Sequence, residues 1–249
     1  MQPATSVEAS PVTADDAPAT RDSQSFYRDG GAGAIMRAAH FPDELLSFLQ
    51  MEGLAVLDAA SRNGCDSLVE LGCYDGRSLE VARAAGIGYL GVDVSHGAVA
   101  ALERRIADEG LTGRAAGVVG DILCPDGWRS AVPGRRPLQL LPFNLAGNLA
   151  EPEKAVAGLR EVGELAVISV FNDEPWTTEV RRAYYTACGI TVLEEVRGAY
   201  GGVLFRGVGG FRSQSFGTEG MAALLDAAGA SAVGTRTNRL GRCVTVRFG

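Results

Sequence analysis

Short apolar runs alternate with amphipathic segments through most of the first 171 residues. The runs are six to eight residues long, which is typical of strands buried on both faces. Between them, apolar residues recur at helical spacing, as at Leu45, Leu46 and Leu49. The predicted strands are 67–72, 89–94, 116–122, 137–143 and 164–171, and the predicted helices are 43–59, 77–85, 96–109 and 151–162.

This alternation predicts the fold class. Strands that alternate with helices of about ten residues imply right-handed β–α–β crossovers and a parallel sheet. We therefore expect a doubly wound α/β domain.

The pattern changes after Phe171. Residues 172–217 contain a predicted helix, 176–188, and three short β-like pieces separated by glycine-rich turns. A helix at 218–228 and a hairpin turning around Leu240–Gly241 follow. The sequence thus predicts a small α+β insertion before the domain closes.

Composition separates the first 22 residues from the rest. Residues 1–22 are rich in Ala, Pro, Thr and Asp and are expected to form a disordered tail, which leaves 23–249 as a single domain. The start has neither a basic segment nor an apolar core, so we expect no secretory signal and a cytoplasmic protein. No apolar run reaches the ~20 residues that span a bilayer, so we expect no membrane partner.

Charge and cysteine spacing narrow the partner classes. The net charge is −7 and no long Lys/Arg run is present, so a nucleic-acid partner is not expected. The five cysteines form no CxxC pair and only two histidines accompany them, so no metal site is expected. The oligomeric state is not indicated.

The strongest chemical signal is the segment from Glu70 to Gly76, which reads ELGCYDG and joins a predicted strand to a predicted helix. Gly72 and Gly76 lack the side chains that would keep a ligand from the backbone. The start of the helix supplies free N–H groups. This turn therefore predicts a ligand site.

Two aspartates extend the signal to the next strand ends. Asp93 ends the second predicted strand, where a carboxylate can accept hydrogen bonds from both ribose hydroxyls of a nucleoside. Asp121 lies at the end of the third, where it could accept from an adenine amino group, with the Ile122 N–H nearby.

The series VELGCYDG, YLGVDVS and VVGDI resembles the motifs of the class I S-adenosylmethionine-dependent methyltransferases over roughly residues 65–171. The resemblance implies a Rossmann-like, mostly parallel seven-stranded sheet whose last strand is antiparallel. It also implies S-adenosylmethionine as cofactor. The family often has glycine at the position of Tyr74, although related small-molecule enzymes also have a bulky residue there, and we expect Tyr74 to shape the methionine end of the site.

The resemblance also assigns parts of the chain. We expect 23–64 to be a helical cover, 65–171 the cofactor-binding core, 172–217 a substrate lid and 218–249 a closing helix and hairpin. In the family a tyrosine of the cover often contacts the cofactor carboxylate, which suggests Tyr27. The expected cofactor-binding residues are Tyr27, Glu70, Gly72, Cys73, Tyr74, Gly76, Asp93, Val94, Asp121, Ile122 and Phe143.

The acceptor is expected where the strand ends open. Asn144 and Asn148 follow the fourth strand, although capping of the next helix is an alternative task for both. The insertion adds Trp176 and Tyr184, which could exclude water, and Arg212, which could bind a carboxylate. Its aromatic residues could instead form its own small core.

The preferred hypothesis is methyl transfer to a small polar metabolite. The alternatives are a methyltransferase acting on protein or RNA and a non-catalytic cofactor-binding protein. A nicotinamide-dependent dehydrogenase would require the GxGxxG spacing, which the turn GCYDG lacks. His40 and His96 are poorly placed for catalysis, and we name no catalytic base.

Overall fold

A computed structural model describes residues 23–249, and the tail predicted at 1–22 lies outside the described residues. The strands are β1 (Ser67–Leu71), β2 (Gly88–Asp93), β3 (Ala115–Val119), β4 (Pro137–Leu141), β5 (Leu165–Phe171), β6 (Val192–Arg197), β7 (Val203–Gly207), β8 (Arg212–Gln214), β9 (Ala230–Thr237) and β10 (Gly241–Phe248). The α-helices are α1 (Ser23–Arg28), α2 (Ala32–Ile35), α3 (Asp43–Asn63), α4 (Leu79–Ala85), α5 (His96–Asp108), α6 (Leu145–Asn148), α7 (Pro152–Gly158), α8 (Pro175–Ala187) and α9 (Thr218–Ala227).

Seven strands form the central sheet in the order β3-β2-β1-β4-β5-β10-β9. The five strands β1 to β5 pair in parallel, and β10 lies antiparallel to both β5 and β9. The predicted α/β class, the seven strands and the antiparallel last strand are therefore confirmed.

Helices cover both faces of this sheet, which explains the unbroken apolar runs. Every residue of β1 and β5 is buried. One core packs α3, α4 and α5 on one face, and a second core packs α7 and α9 on the other. The insertion predicted at 172–217 contains α8 and a separate antiparallel sheet in the order β6-β7-β8.

Two predicted strands run too far toward their carboxyl ends. The strand predicted to 122 ends at Val119, because the Leu123 N–H bonds to Asp121 Oδ1 at 2.9 Å and turns the chain. The strand predicted to 143 ends at Leu141, because Phe143 and Asn144 have positive φ values of 45° and 63°. The residues beyond these two strands are therefore loop residues facing the sheet edge.

Within residues 23–249, no helix combines the length and apolarity needed to cross a bilayer.

Candidate ligand-binding cleft

A cleft opens at the carboxyl ends of β1 to β4 and is roofed by the segment 23–40. The structure brings together there all the sequence-predicted cofactor residues except Gly76. Those lining the cleft are Tyr27, Glu70, Gly72, Cys73, Tyr74, Asp93, Val94, Asp121, Ile122 and Phe143.

The turn after β1 forms the floor of this cleft. The Gly72 N–H donates to Val92 O at 2.7 Å, and φ at Gly72 is +67°, a value that favours glycine. Tyr74 also has a positive φ, 49°, which is uncommon outside glycine. The backbone is thus held in an unusual conformation where a ligand can approach it closely.

Gly76 is the one predicted cofactor residue that does not line the cleft. A Cβ atom at Gly76 would lie 2.4 Å from Leu102 Cδ1 of α5, and φ there is +81°. Glycine is therefore required so that the turn can pack against α5, which is a packing reason and not a ligand contact.

Glu70 holds the turn after β1 in place through hydrogen bonds. Its carboxylate accepts hydrogen bonds from the Ser78 N–H at 3.0 Å, the Ser78 hydroxyl at 2.7 Å and the Tyr89 hydroxyl at 2.6 Å. Burial raises the pKa of Glu70 to about 7, and the charge of Arg77 opposes that rise. Because protein groups use its oxygens, Glu70 acts mainly by positioning the turn.

Asp93 lies at the end of β2 with its carboxylate in the cleft wall. Oδ2 accepts from the Tyr74 N–H at 2.9 Å, and Oδ1 accepts from the Ser95 N–H at 2.8 Å. Burial raises the pKa of Asp93, while these backbone donors oppose the rise. Each oxygen can accept a further hydrogen bond, so the group is oriented to receive two hydroxyl donors.

Asp121 and Ile122 form the adjoining wall. The Trp128 Nε1–H donates to Asp121 O at 2.8 Å, and Asp121 Oδ1 accepts from the Leu123 N–H. The buried indole and the side-chain turn fix this loop. Both residues line the cleft beside Val92 and Gly120.

The two asparagines after β4 have different surroundings. Asn148 lines the cleft. Asn144 is buried away from the cleft lining: its Oδ1 accepts from the Phe171 N–H at 3.1 Å and its Nδ2 donates to Ser213 Oγ at 3.2 Å. The Asn144 amide thus links the end of β4 to β5 and β8.

The roof of the cleft contributes Tyr27, Ala32, Ile35 and Met36. Tyr27 Oη is buried without a hydrogen-bond partner among the described residues. Burial raises the pKa of Tyr27 well above its usual value, and Tyr185 adds to the rise. This phenol is therefore a neutral donor at neutral pH.

The three residues predicted within the insertion lie outside the cleft lining. Trp176 stacks against Arg239, whose Cζ is 4.0 Å from the ring centroid. Tyr184 is buried, donates to the carbonyl of Ile35 and so supports the roof. The Arg212 Nε–H donates to Leu149 O at 3.0 Å, which places Arg212 behind the rim of the cleft.

Sequence reasoning missed Arg77, Glu52 and several apolar lining residues. Arg77 lines the cleft and pairs with Glu52, with Nη2 and Oε1 3.0 Å apart. Two signals could have found the pair: an arginine directly after the glycine turn, and a glutamate within an apolar helix. The additional apolar lining residues are Ala32, Ile35, Met36, Val92, Pro142, Leu145 and Leu149.

Metal-ligating side chains do not cluster in the described part of the chain. No group of three or more His, Cys, Asp or Glu residues within 23–249 could hold a metal ion.

Solved structures of low sequence identity share this architecture. Magnesium protoporphyrin IX methyltransferase from Synechocystis PCC 6803, solved with S-adenosylhomocysteine, matches with a TM-score of 0.58 and 14% identity over 91% of this chain and 98% of that chain. The 1,6-didemethyltoxoflavin-N1-methyltransferase of Burkholderia thailandensis, solved with 1,6-didemethyltoxoflavin and S-adenosylhomocysteine, matches with a TM-score of 0.56 and 16% identity over 90% of this chain and 84% of that chain. A cyclase, SpnF, matches with a TM-score of 0.52 and 14% identity over 79% of each chain.

No protein-family model matches the sequence, and no curated protein matches it significantly. The similarity to these structures is therefore one of fold. The sheet has the order β3-β2-β1-β4-β5-β10-β9, and β10 is antiparallel to both β5 and β9. This chain has the Rossmann-like fold of the class I S-adenosylmethionine-dependent methyltransferases.

Proposed function

We propose that this protein transfers a methyl group from S-adenosylmethionine to a small-molecule acceptor. One observation carries the proposal: the glycine turn, Asp93 and Asp121 come from three successive strand ends and line a single cleft. An aspartate held by two backbone N–H groups and facing outward suits a ribose diol, and the turn suits a ligand that passes close to the backbone.

The cleft residues fit this cofactor along its length. Asp93 would receive the ribose hydroxyls, and Asp121 with the Ile122 N–H would receive the adenine. The methionine end would lie over the turn, where Tyr27 offers a buried, unpaired hydroxyl. A buried polar atom without a partner is costly, so a ligand acceptor at that hydroxyl would recover the lost hydrogen bond.

The chemistry supplied by the bound cofactor is an electrophilic methyl group, so the protein's work is mainly alignment and exclusion of water. Among the described residues, the cleft lining contains no histidine and no lysine. The Tyr27 phenol is held neutral by burial. We therefore assign no catalytic base and expect an acceptor atom that is nucleophilic without one.

The acceptor side of the cleft is enclosed and largely apolar. Ile35 and Met36 of the roof face Phe143, Leu145 and Leu149 from the strand-end loops. This lining favours a small organic molecule with substantial apolar surface over the small polar metabolite that the sequence predicts. Two of the neighbours named above are named for magnesium protoporphyrin IX and 1,6-didemethyltoxoflavin, which are organic ring systems, and this supports such an acceptor.

Polar groups on the acceptor would meet Asn148 in the wall and Arg212 behind the rim. We propose that residues 172–217, which include Arg212, influence which acceptor is bound. A protein or RNA substrate is less favoured because the segment 23–40 roofs the cleft.

The first test is calorimetric titration of S-adenosylhomocysteine into the wild type and Asp93→Asn. The variant amide places a donor against backbone donors and removes the charge, so affinity should fall at least about tenfold, equal to ~1.4 kcal/mol. Asp108→Asn, at the exposed end of α5, is the matched control and should bind as the wild type does.

In the second test, the wild type is incubated with S-adenosylmethionine and a library of small organic compounds. Mass spectrometry detects any compound that has gained one methyl group. Absence of S-adenosylhomocysteine binding by the wild type would refute the proposal. Binding without transfer to any compound, protein or RNA would favour a non-catalytic cofactor-binding protein.

A further inference from the structure

Arg77 is the first residue after the turn that forms the cleft floor. Arg77 lines the cleft and also borders a second cavity that Glu52 lines, and its Cζ is 5.1 Å from the centroid of the Phe143 ring. Nη2 forms the ion pair with Glu52 Oε1. The planar group is therefore held both by a ring and by a carboxylate, which limits the directions in which its other nitrogen can point.

The other terminal nitrogen of the guanidinium, Nη1, has no acceptor among the described residues. Arg77 Nη1 is buried and has no hydrogen-bond partner among the described residues. A guanidinium N–H that is shielded from water and unpaired carries a desolvation penalty, which an anionic ligand in the cleft would relieve.

Both carboxylate oxygens of Glu52 have partners, and neither partner is Arg77 Nη1. Its Oε1 pairs with Arg77 Nη2, while its Oε2 accepts the Phe143 N–H at 2.7 Å. The side chain is almost fully buried on α3. One carboxylate thus holds both the arginine and the backbone of Phe143, where φ is +45°.

We propose that Arg77 binds a carboxylate in the cleft and that Glu52 is its positioning residue. This inference rests on the proposed function and names the carboxylate as that of the cofactor's methionine portion. Two observations favour this source over an acid group on the acceptor. Arg77 directly follows the Gly72–Gly76 turn, and Tyr27 supplies the other unpaired buried donor of the same cleft.

The test compares two ligands that differ in this carboxylate alone: S-adenosylhomocysteine and S-adenosyl-3-thiopropylamine, its decarboxylated form. Both are titrated calorimetrically into the wild type and the double variant Glu52→Gln/Arg77→Met. The double change removes both members of the ion pair, so no isolated charge is left buried.

The wild type should prefer S-adenosylhomocysteine by at least about tenfold, the size of one charge-assisted hydrogen bond. The double variant should bind the two ligands with about equal affinity, and its affinity for the decarboxylated ligand should differ from that of the wild type by less than about threefold. Glu52→Gln alone should lower the preference in part, because the arginine remains but loses its fixed orientation. Arg104→Met, at an exposed position of α5, should leave both affinities unchanged.

Arg77→Lys keeps a cation beside Glu52. It replaces the double variant in the comparison with the wild type if the double variant does not fold. A lysine has one nitrogen and cannot bind Glu52 and the ligand in the same fork geometry, so the preference should again fall. An unchanged preference in either variant, equal weakening of both ligands, or no preference in the wild type would overturn the assignment. Failure of the wild type to bind both ligands would instead refute the proposed function.

Discussion

At the scale of single residues, Glu70 and Asp93 show how environment divides tasks between two buried carboxyl groups. Glu70 receives three donors from Ser78 and Tyr89, all within the protein. Asp93 receives two backbone donors and still borders the cleft. The first carboxyl group therefore supports the turn, and the second is available to a ligand.

Glu70 should make stability depend on pH. Its pKa rises from 4.5 in the unfolded chain to about 7 in the folded protein, so the folded state binds more protons between these values. The resulting stabilisation is complete below pH 4.5 and is lost as pH rises through about 7. Relative to Glu70→Gln, the wild type should lose about 3 kcal/mol of unfolding free energy between pH 4.5 and 8.

Urea unfolding at a series of pH values measures this difference. Glu219→Gln, on the exposed start of α9, is the control and should give a profile parallel to that of the wild type. A constant difference between the wild type and Glu70→Gln would show that Glu70 has the same charge in both states.

At the scale of elements, Arg181 joins α8 to the small sheet. Its Nη1 donates to Val203 O at 3.0 Å and its Nη2 to Ser213 O at 2.7 Å. The guanidinium lies 4.5 Å from the Phe205 ring centroid and 5.5 Å from that of Phe171. It therefore packs against rings of both the insertion and β5.

Arg181→Ala should destabilise the protein strongly. The change removes buried hydrogen bonds from a charged donor and leaves a cavity, which together cost at least about 3 kcal/mol. Arg182→Ala is the matched control on the next position of α8. Arg182 is 46% exposed and pairs with Glu195, so its loss should cost less than about 1 kcal/mol. Chemical denaturation of both variants measures the contrast, and equal losses would contradict the role given to Arg181.

At the scale of the whole molecule, the roof packs against the insertion. Phe26 packs edge-on against Phe211 with centroids 5.5 Å apart, and Tyr184 donates to the carbonyl of Ile35. Since residues of the roof line the cleft, we expect a bound ligand to hold the roof in place.

Ligand binding should therefore protect the roof from proteolysis. Trypsin can cut after Arg28 and Arg37, which are exposed, only when this segment opens. Saturation with S-adenosylhomocysteine at ~100 times its Kd should slow both cuts by up to about 100-fold. Cleavage after Arg62, on α3, should change little, because that side chain is 75% exposed and remote from the roof. Equal rates at Arg28 and Arg37 with and without ligand would show that the roof does not close over it.

Local sequence pattern was sufficient for the sheet and for most of the cleft. Unbroken apolar runs indicate strands buried on both faces, and β1 and β5 are buried throughout. Chain order together with the right-handed crossover then brings successive strand ends to one edge, which is why Asp93 and Asp121 could be paired with the turn in advance. These inferences succeed because burial and handedness act through neighbours in sequence.

Tertiary contacts decided which of these residues line the cleft and which are held inside the protein. Gly76 packs against Leu102 of α5, Asn144 is held by Phe171 and Ser213, and Arg77 is held by Glu52 from 25 residues earlier. Whether a side chain turns toward a cleft depends on the partners that the assembled fold places around it. Those partners lie far apart along the chain, so no local periodicity or spacing encodes their contact.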